Sequence, residues 1–303
     1  MKSSTSSTVL GAVALLLWST TVAFTRGLAE EVGVFTSVGI TMLVGGGIGT
    51  AWLAWGQRKL GQVLRLSRAY LLGGLLLFTV YMVAFYLAIG WAGARSTVIE
   101  VGLINYLWPG LTLVFAVPLQ KKRATPWLLP GILIAFAGVV LASLPMEYTP
   151  TGFAVKLQEN WLVYLLALTA AVTWALYSNL SRVWAGDADA GATPLFLLFS
   201  GIVMLTLSLV FPEPHHWSGR AVGLTLYVAL GPTLLSYVFW DYGMRKGHLI
   251  LLASLSFFTP LFSTIVSLLF LHEPARPALW LGCALIIAGA AICNAAVKER
   301  ALT

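Results

Sequence analysis

The sequence predicts an all-α integral membrane protein with ten transmembrane helices, arranged as two five-helix repeats of inverted topology. Three observations lead to this fold class. The 303 residues are 59% hydrophobic and only 10% charged, with a mean hydropathy of +0.88, whereas a soluble domain carries about 25% charged residues. Apolar stretches recur along the whole chain, and the second half repeats landmarks of the first. A soluble fold is therefore excluded.

The apolar stretches define the predicted helices. Because an α-helix rises about 1.5 Å per residue, about 20 apolar residues cross the hydrocarbon core of a bilayer. Only short connections separate the stretches, so the chain has no room for a further soluble domain. The stretches are residues 9–29, 34–56, 69–91, 97–118, 127–144, 161–183, 194–211, 221–243, 249–271 and 278–297.

The first stretch has a second interpretation. Lys2, the apolar run 9–17 and Gly27-Leu28-Ala29 together resemble a secretory signal peptide with its cleavage site. We favour an uncleaved first helix, because this stretch has a counterpart in the second half of the chain.

Basic residues are distributed unevenly among the predicted connections. If the N-terminus is cytoplasmic, 13 of the 18 Lys and Arg residues lie in cytoplasmic segments. Cytoplasmic loops of membrane proteins carry such an excess, so we expect both termini in the cytoplasm. The net charge of +7 then needs no nucleic-acid partner. The 13 residues are Lys2, Arg58, Lys59, Arg65, Arg68, Lys121, Lys122, Arg123, Arg182, Arg245, Lys246, Lys298 and Arg300.

An internal repeat is visible when the chain is shifted against itself. A shift of 151 residues superposes the fourth and fifth stretches on the ninth and tenth, and a shift of 156 superposes the first on the sixth. Chance similarity between apolar sequences is the alternative, and several proline and glycine matches at one shift argue against it. The matched pairs are Pro109 and Pro260, Pro126 and Pro277, Gly131 and Gly282, Gly138 and Gly289, Tyr86 and Tyr237, and Trp18 and Trp174.

Five helices per repeat place the second repeat upside down in the membrane. Inverted repeats are characteristic of secondary transporters, whose substrate site lies near the membrane midplane where the repeats meet. We assign the first repeat to residues 1–145 and the second to residues 161–303, with an outer connecting loop at 146–160.

Two prolines interrupt the fourth and ninth stretches near their middle. Proline lacks a backbone N–H and displaces the carbonyl four residues earlier, which belongs to Asn105 for Pro109 and to Ser256 for Pro260. In hydrocarbon, broken backbone is tolerated only against protein or a wet cavity. We therefore predict two related hinges that line a polar cavity together with Trp108. A proline kink packed against neighbouring helices is the alternative.

The first and sixth stretches each carry a face of small or polar residues around one deep tryptophan. Trp18 shares its face with Thr21, and Trp174 shares the counterpart with Tyr177. Tryptophan usually lies at the membrane interface, so this pair near the midplane favours a binding pocket. Packing between helices is the alternative.

Two acidic residues lie inside predicted helices, where an ionisable side chain is a candidate functional group. Glu100 lies about one turn inside the fourth helix and could also extend to the interface. Asp241 precedes Arg245 by four residues, a spacing that favours a local ion pair. Beside these structural roles, we consider both acids candidates for proton coupling or for a gate.

The eighth stretch contains a third predicted hinge. Gly231 and Pro232 are expected to break the helix, and Tyr237 and Trp240 lie between this break and Asp241. This arrangement is compatible with a gate.

The remaining motifs indicate no catalytic chemistry. Cys283 and Cys293 lie ten residues apart on one helix, about 15 Å, which is too far for a disulfide. His215-His216 beside Glu213 is not expected to bind a metal. The sequence contains no nucleophile–base pair or nucleotide loop, so we expect no enzyme activity, no metal and no cofactor. Glycines at 45–49, 131, 138, 282 and 289 are expected to allow close helix packing.

Two segments resemble the EamA family of the drug/metabolite transporter superfamily. They are NYLWPGLTLVFAVPLQKKRATPWLLPGILIAFAGVVL (105–141) and SFFTPLFSTIVSLLFLHEPARPALWLGCALIIAGAAI (256–292). In this family the proline of the central helix is followed by an xExP turn and a glycine-containing last helix. The second repeat keeps His272-Glu273-Pro274, whereas the first has Lys121-Lys122-Arg123. The YLWP motif and the chain length are most similar to YddG-type aromatic amino-acid exporters.

The resemblance implies a basket-shaped bundle that alternates between outward-open and inward-open states and exports amino acids across the bacterial inner membrane. Its cavity would hold an apolar side chain among aromatic rings, with Asn105 and Ser256 receiving the ammonium group. The rings expected there are Trp18, Tyr81, Tyr86, Trp108, Trp174, Tyr177, Tyr237 and Trp240.

Two functions follow from these observations. The first is export of aromatic and other neutral amino acids or related metabolites. The second is export of lipophilic or quaternary cations, which would use the aromatic faces and the acids Glu100 or Asp241. The expected partners are a small-molecule substrate and the lipid bilayer, without nucleic acid, and a monomer is compatible with all of these features.

Overall fold

The computed structural model describes residues 2–56, 58–93, 95–143, 158–186, 188–271 and 277–298, which are almost entirely helical. The His272-Glu273-Pro274 motif and most of the predicted connecting loop at 146–160 lie outside these residues. The α-helices are α1 (Lys2–Val32), α2 (Val34–Ala51), α3 (Leu60–Val63), α4 (Leu75–Trp91), α5 (Arg95–Asn105), α6 (Trp108–Leu119), α7 (Leu128–Ser143), α8 (Trp161–Ala185), α9 (Thr193–Val210), α10 (Gly219–Val228), α11 (Ser236–Lys246), α12 (Leu249–Leu255), α13 (Thr259–Leu271) and α14 (Pro277–Ala296).

Short irregular elements interrupt or join these helices. Trp52–Gly56, Ala69–Gly74 and Ala229–Leu235 are π-helical, and Ser256–Phe258 forms a 3₁₀ turn. Two two-residue strands, β1 (Arg123–Ala124) and β2 (Val297–Lys298), pair antiparallel with Arg123 opposite Lys298.

All the predicted stretches coincide with helical segments. Within the described residues, six helical spans are long and apolar enough to cross a bilayer, and three shorter apolar helices match the fifth, ninth and tenth stretches. The first stretch lies in α1. A helical, multi-pass membrane fold is therefore confirmed, while the count of ten crossings stays a prediction. The six spans are Val34–Gly56, Ala69–Trp91, Glu100–Leu119, Trp161–Ala185, Thr193–Val210 and Gly219–Lys246.

Contacts divide the chain into two compact units, each of which contains helices from both halves of the sequence. Unit 1 comprises Met1–Thr79 and Leu180–Leu252, and unit 2 comprises Val80–Asn179 and Ala253–Thr303. The unit boundaries fall inside α4, α8 and α12 rather than in loops. The predicted repeats describe sequence similarity, and their limits stay a prediction.

In unit 1, α1 packs along α11 and α2 packs along α9. A Cβ added to Gly243 would lie 2.9 Å from the Cα of Gly11, and one added to Gly46 would lie 2.6 Å from the backbone nitrogen of Leu198. Glycine at these positions lets the helix backbones approach closely, and such close packing is one of the contributions that hold helices together in membranes. The packing role predicted for the glycines of α2 is confirmed for Gly45, Gly46 and Gly49, whereas a Cβ on Gly47 would meet no atom within 4 Å.

In unit 2, α7 packs along α14. A Cβ on Gly138 would lie 2.7 Å from the carbonyl oxygen of Gly282, and a Cβ on Gly289 would lie 2.4 Å from the backbone nitrogen of Ala135. The repeat-related glycines therefore allow this pair of helices to pack, as predicted.

Contacts between connecting segments agree with the predicted sidedness. The β1–β2 ladder joins the segment at 121–124 to the end of α14, and the His248 N–H donates to the Thr8 hydroxyl at 2.9 Å. All four segments are predicted to be cytoplasmic. On the other side, the Ser218 hydroxyl donates to the Glu31 carboxylate. These pairs join segments predicted on the same face, and which face is cytoplasmic stays a prediction.

Candidate functional site

The fourth stretch is broken at its middle. α5 ends at Asn105 and α6 begins at Trp108, with Pro109 in its first turn. Proline fits the first helical turn because the N–H that it lacks would have no partner within the helix there. All three residues are buried. Two turn residues thus interrupt the helical span at the predicted place, and the role of this place as a hinge stays a prediction.

The ninth stretch changes its helical geometry at the equivalent place. The 3₁₀ turn Ser256–Phe258 separates α12 from α13, and Pro260 is the second residue of α13. The Ser256 hydroxyl donates to the carbonyl of Ala253 at 2.7 Å. Its hydrogen is therefore bound to the local backbone.

The eighth stretch does not break at Gly231-Pro232, and this expectation is corrected. The π-helix Ala229–Leu235 includes Pro232 and joins α10 to α11 without interruption. The Ser236 hydroxyl donates to the Gly231 carbonyl at 3.1 Å. Backbone bonds of a π-helix reach five residues back, so the chain can pass a proline and remain helical. Such π-turns are frequent at functional sites.

An aromatic cluster in unit 1 contains three predicted site residues. The Trp18 ring centroid lies 5.1 Å from that of Tyr237 and 5.5 Å from that of Trp240. Phe78 meets Tyr237 edge to face at 5.2 Å. Trp240 is fully buried, whereas Trp18 and Tyr237 are half-buried. We call these four residues the α1–α11 aromatic cluster.

A second aromatic cluster lies in unit 2 around Trp174 of α8. The Trp174 ring centroid lies 4.7 Å from Tyr81, 5.3 Å from Tyr177 and 6.4 Å from Trp108. The two indoles are nearly perpendicular, with an interplanar angle of 87°. We call these four residues the α8 aromatic cluster. The structure therefore brings the predicted aromatic residues together in two groups.

Two further predicted residues lie beside the clusters. Thr21 is half-buried and follows Trp18 by three residues on α1. Tyr86 is also half-buried, and its ring contacts Phe85 at 5.4 Å, while Phe85 stacks on Tyr81 at 6.1 Å.

Buried amide groups accompany the α8 aromatic cluster. The Oδ1 atoms of Asn105 and Asn179 are buried and have no hydrogen-bond partner among the described residues. The Asn179 Nδ2 donates to the carbonyls of Thr112 and Ala175, both at 3.0 Å. Buried polar atoms are normally satisfied, so packing alone does not explain why these two oxygens are buried without a partner.

Glu100 is buried rather than extended toward the interface. It is 3% exposed, and its carboxylate accepts a hydrogen bond from the Tyr164 hydroxyl of α8. Tyr164 lies in an apolar cluster with Ala88, Val101 and Ala167. The carboxylate is therefore held between α5 and α8 in an apolar environment.

Asp241 forms the local ion pair that its spacing predicts. Its carboxylate accepts from Arg245 Nε at 2.8 Å and from the Tyr70 hydroxyl at 3.2 Å. Arg245 Nη1 also donates to the Ala188 carbonyl at 2.7 Å. A Cβ on Gly191 would lie 2.2 Å from the Asp241 carboxylate. The buried pair is thus enclosed by α11, Tyr70 and the loop between α8 and α9.

A second ion pair ties the same loop to the end of α11. The Lys246 ammonium donates a hydrogen bond to Asp189 at 2.6 Å and holds the pKa of that carboxyl below its ordinary value. Because the ionised carboxylate is favoured, any stability from this pair is present above the ordinary pKa of aspartate. It is lost as the pH falls through the lowered value. Asp189 is exposed, so solvent screens the pair.

The acidic residue beside His215-His216 has a structural role. The Glu213 carboxylate accepts from the backbone N–H groups of Phe35 at 2.7 Å and Thr36 at 2.8 Å. It thereby caps the N-terminus of α2, whose unpaired N–H groups and dipole favour an anion. A Cβ on Gly33, where φ is +88°, would lie 2.4 Å from this carboxylate. Among the described residues, no group of three potential ligands could hold a metal.

Comparison with protein families identifies the fold family. The model of the EamA-like transporter family matches residues 5–144 and 161–295. The chain is a member of the EamA-like transporter family. The family is one of transporters, so this EamA-like protein is not an enzyme.

Its relatives include three proteins named aromatic amino acid exporter YddG. That of Salmonella typhimurium is 31% identical over 296 residues, covering 97% of this chain and 98% of the relative. That of Escherichia coli is 29% identical over 303 residues, covering 96% and 98%. That of Ancylobacter novellus is 31% identical over 295 residues, covering 96% and 97%. A crystal structure that is 30% identical superposes with a TM-score of 0.80 over 95% of this EamA-like chain and 97% of the other.

Several residues of the candidate site were not predicted. Phe78, Tyr70, Tyr164 and Asn179 join the clusters or the acids through contacts between residues distant in sequence. Of these four residues, only Asn179 could have been found from the sequence, because burying an amide inside an apolar helix is energetically unfavourable and suggests a specific partner.

Proposed function

We propose that this EamA-like transporter exports aromatic and other neutral amino acids across the bacterial inner membrane, with both termini in the cytoplasm. Transport would proceed by alternating access through a central cavity between the two repeats. Three relatives named as aromatic amino acid exporters, each aligned over nearly the whole chain, support this substrate class. The inverted repeat in the sequence supports the mechanism.

The α8 aromatic cluster is the observation that carries the proposal. The rings of Tyr81 and Trp108 lie 4.7 Å and 6.4 Å from that of Trp174, and aromatic side chains pair in such arrangements. The α1–α11 aromatic cluster offers the same chemistry with Trp18 and Tyr237. Rings of this kind suit the side chain of phenylalanine, tyrosine or tryptophan.

The polar end of the substrate has its own candidate partner. Asn105 Oδ1 is a buried acceptor without a partner among the described residues, and an ammonium group supplies three donors. Asn105 also ends α5 at the break before Pro109. A change in this break would move the acceptor, which couples substrate binding to the hinges at Pro109 and Pro260.

Glu100 and Asp241 are the candidates for proton coupling or for a gate. Their carboxylates are hydrogen-bonded to Tyr164 and to Arg245, respectively. Because Asp241 is already paired with the Arg245 guanidinium, it offers no simple counter-ion for a lipophilic cation. The pairing of Asp241 supports a zwitterionic amino acid over the alternative cationic substrates.

Uptake by proteoliposomes tests the substrate class. Purified protein would be assayed with labelled Phe, Trp, Thr and Met and, separately, with a labelled quaternary cation. We expect saturable movement of the amino acids, with Phe and Trp preferred. Movement of the cation without the amino acids would overturn the proposal and establish the multidrug alternative. Glu100→Gln and Asp241→Asn test coupling when they are assayed under a pH gradient as folded, purified protein. Transport with the same pH dependence as the wild type would remove both acids from coupling.

Two tryptophan variants test the aromatic clusters. Trp18→Ala and Trp174→Ala should each lower Phe transport by about fivefold or more, since an aromatic pair contributes about 1 kcal/mol beyond area burial. Trp55, which is 81% exposed, provides the matched control, and Trp55→Ala should transport normally. Normal transport by Trp18→Ala and Trp174→Ala at equal expression would show that neither tryptophan belongs to the substrate site.

A further inference from the structure

A buried asparagine joins the two helices that carry the tryptophans of the α8 aromatic cluster. Asn179 lies in the second half of α8 and has no exposed surface. Its Nδ2 donates across to the Thr112 carbonyl of α6 as well as to Ala175 of its own helix. The Gln120 Nε2 at the end of α6 donates to the main-chain carbonyl of Asn179 at 2.7 Å. One residue therefore contacts α6 through both its side chain and its backbone.

These bonds lie close to the two indoles. Thr112 follows Trp108 by one turn of α6, and its hydroxyl donates to the Trp108 carbonyl at 2.7 Å. Asn179 follows Trp174 by five residues of α8. Because a helix rises about 1.5 Å per residue, the cross-helix bond fixes the register of α6 on α8 within about 8 Å of both rings along the helix axes. The separation of 6.4 Å and the angle of 87° between the rings depend on that register.

Stability alone does not account for an asparagine at this position. Its Oδ1 is buried without a partner among the described residues, and a buried unsatisfied amide oxygen is costly. Hydrogen bonds between membrane helices contribute only modestly to stability. An aliphatic side chain would fill the same space without that cost. The amide therefore fixes the distance and orientation of α6 relative to α8 rather than adding net stability.

We propose that Asn179 is a positioning residue that determines specificity: it sets the spacing of Trp108 and Trp174 and thereby the preference for aromatic over aliphatic amino acids. The proposal rests on the proposed function, in which these rings contact the substrate side chain. Contact between flat rings depends steeply on their separation and angle. A shift of α6 along α8 therefore weakens contact with Phe or Trp more than contact with the small side chain of Thr.

Two substitutions separate the cross-helix bond from the local one. Asn179→Leu removes both side-chain bonds, whereas Asn179→Ser can keep a hydroxyl bond to Ala175 in its own helix and loses the bond to Thr112. We expect both to lower the ratio of Phe to Thr transport about fivefold, through a higher KM for Phe, as the loss of one interhelical hydrogen bond allows. Thr transport should change less than about twofold.

Thr173→Ala is the matched control. Thr173 lies on the same helix next to Trp174, and its hydroxyl donates to the Thr169 carbonyl at 2.7 Å within α8. Its loss removes a side-chain hydrogen bond without touching α6. The Phe to Thr ratio should therefore stay at the wild-type value in this variant.

Fluorine NMR of protein labelled with 5-fluorotryptophan gives a readout that needs no transport. The Trp108 resonance is assigned from Trp108→Phe. Asn179→Leu and Asn179→Ser should shift it, although Trp108 lies on the other helix, and Thr173→Ala should not.

An unchanged Trp108 resonance in both Asn179 variants would overturn the inference. So would a shifted resonance with an unchanged Phe to Thr ratio, which would make Asn179 a packing residue. If the wild type moves no amino acid, the proposed function fails, while the resonance still decides whether Asn179 positions Trp108.

Discussion

Asp241 and Arg245 illustrate how single residues hold charge inside apolar helices. Removing two charges from water costs several kcal/mol for each ion, and their attraction offsets this cost only where further hydrogen bonds satisfy both groups. Here the Tyr70 hydroxyl and the Ala188 carbonyl provide those bonds. The pair is thus satisfied as a unit, and either member alone would be an uncompensated buried charge.

Substitution at this pair should therefore be strongly non-additive. Arg245→Met and Asp241→Leu should each destabilise by about 3–5 kcal/mol, whereas the double variant should recover most of that loss. Thermal unfolding in detergent measures all three. Lys246→Met, which removes the exposed pair with Asp189, should have little effect. A double variant as unstable as the sum of the two single variants would contradict this account.

Gly191 is required by the same site. A Cβ at this position would lie 2.2 Å from the Asp241 carboxylate and 2.9 Å from the Tyr70 hydroxyl. Gly191→Ala should therefore destabilise by about 1–3 kcal/mol, the usual cost of overpacking, and lower the melting temperature. Gly223→Ala in α10, where a Cβ meets no atom within 4 Å, is the control. An unchanged melting temperature for Gly191→Ala would contradict this account and show that the loop between α8 and α9 can move away from the ion pair.

For single residues, the sequence predicted only contacts between near neighbours along the chain. The spacing of four residues between Asp241 and Arg245 was sufficient to predict their bond, because neighbouring turns of one helix bring such residues together. Tyr70 and Gly191 reach the same carboxylate from other parts of the chain, and no local pattern encodes that. The burial of Glu100 could not be predicted for the same reason, because Tyr164, which holds its carboxylate away from the interface, lies on another helix.

The helical elements follow from hydropathy and proline placement. Both mid-helix prolines lie in the first turn of a new helical segment, after a break at Asn105 or a 3₁₀ turn at Ser256–Phe258. The sequence predicted these positions because proline removes one specific backbone bond. It did not predict the π-helix around Pro232, since the same residue can be accommodated by a break or by a wider turn.

Replacing either proline tests whether the breaks act as hinges. Pro109→Ala and Pro260→Ala restore an N–H and allow a more regular helix, so melting temperatures should stay level or rise. If the breaks move during transport, a penalty of about 1.4 kcal/mol on that movement lowers the rate about tenfold. Pro118→Ala, near the end of α6, is the control. Full transport by Pro109→Ala and Pro260→Ala would show that neither break needs to move during transport.

For the whole molecule, the positive-inside pattern predicts which loops face the cytoplasm. In a chain carrying Cys283→Ser and Cys293→Ser, Lys121→Cys should react with an impermeant maleimide only after intact cells are permeabilised. His215→Cys should react in intact cells, because both positions are exposed and lie on opposite predicted faces. Labelling of residue 121 in intact cells would invert the proposed topology.

The sequence predicted a helical membrane protein with an internal repeat, but not which helices pack together. Matched residues such as Pro109 and Pro260 are visible along one chain. The packing of α2 on α9 and of α7 on α14 depends instead on small residues of one helix meeting particular backbone atoms of another. That complementarity exists only in three dimensions, so the composition of the two units could not be derived from similarity.

The location of the unit boundaries inside α4, α8 and α12 bears on how the chain can be divided. A chain severed between α7 and α8 yields two fragments, and neither fragment contains all the segments of either unit. Split versions should thus regain function only by complementation, when both pieces are made in the same cell, and a lone half would be a substrate for membrane proteases.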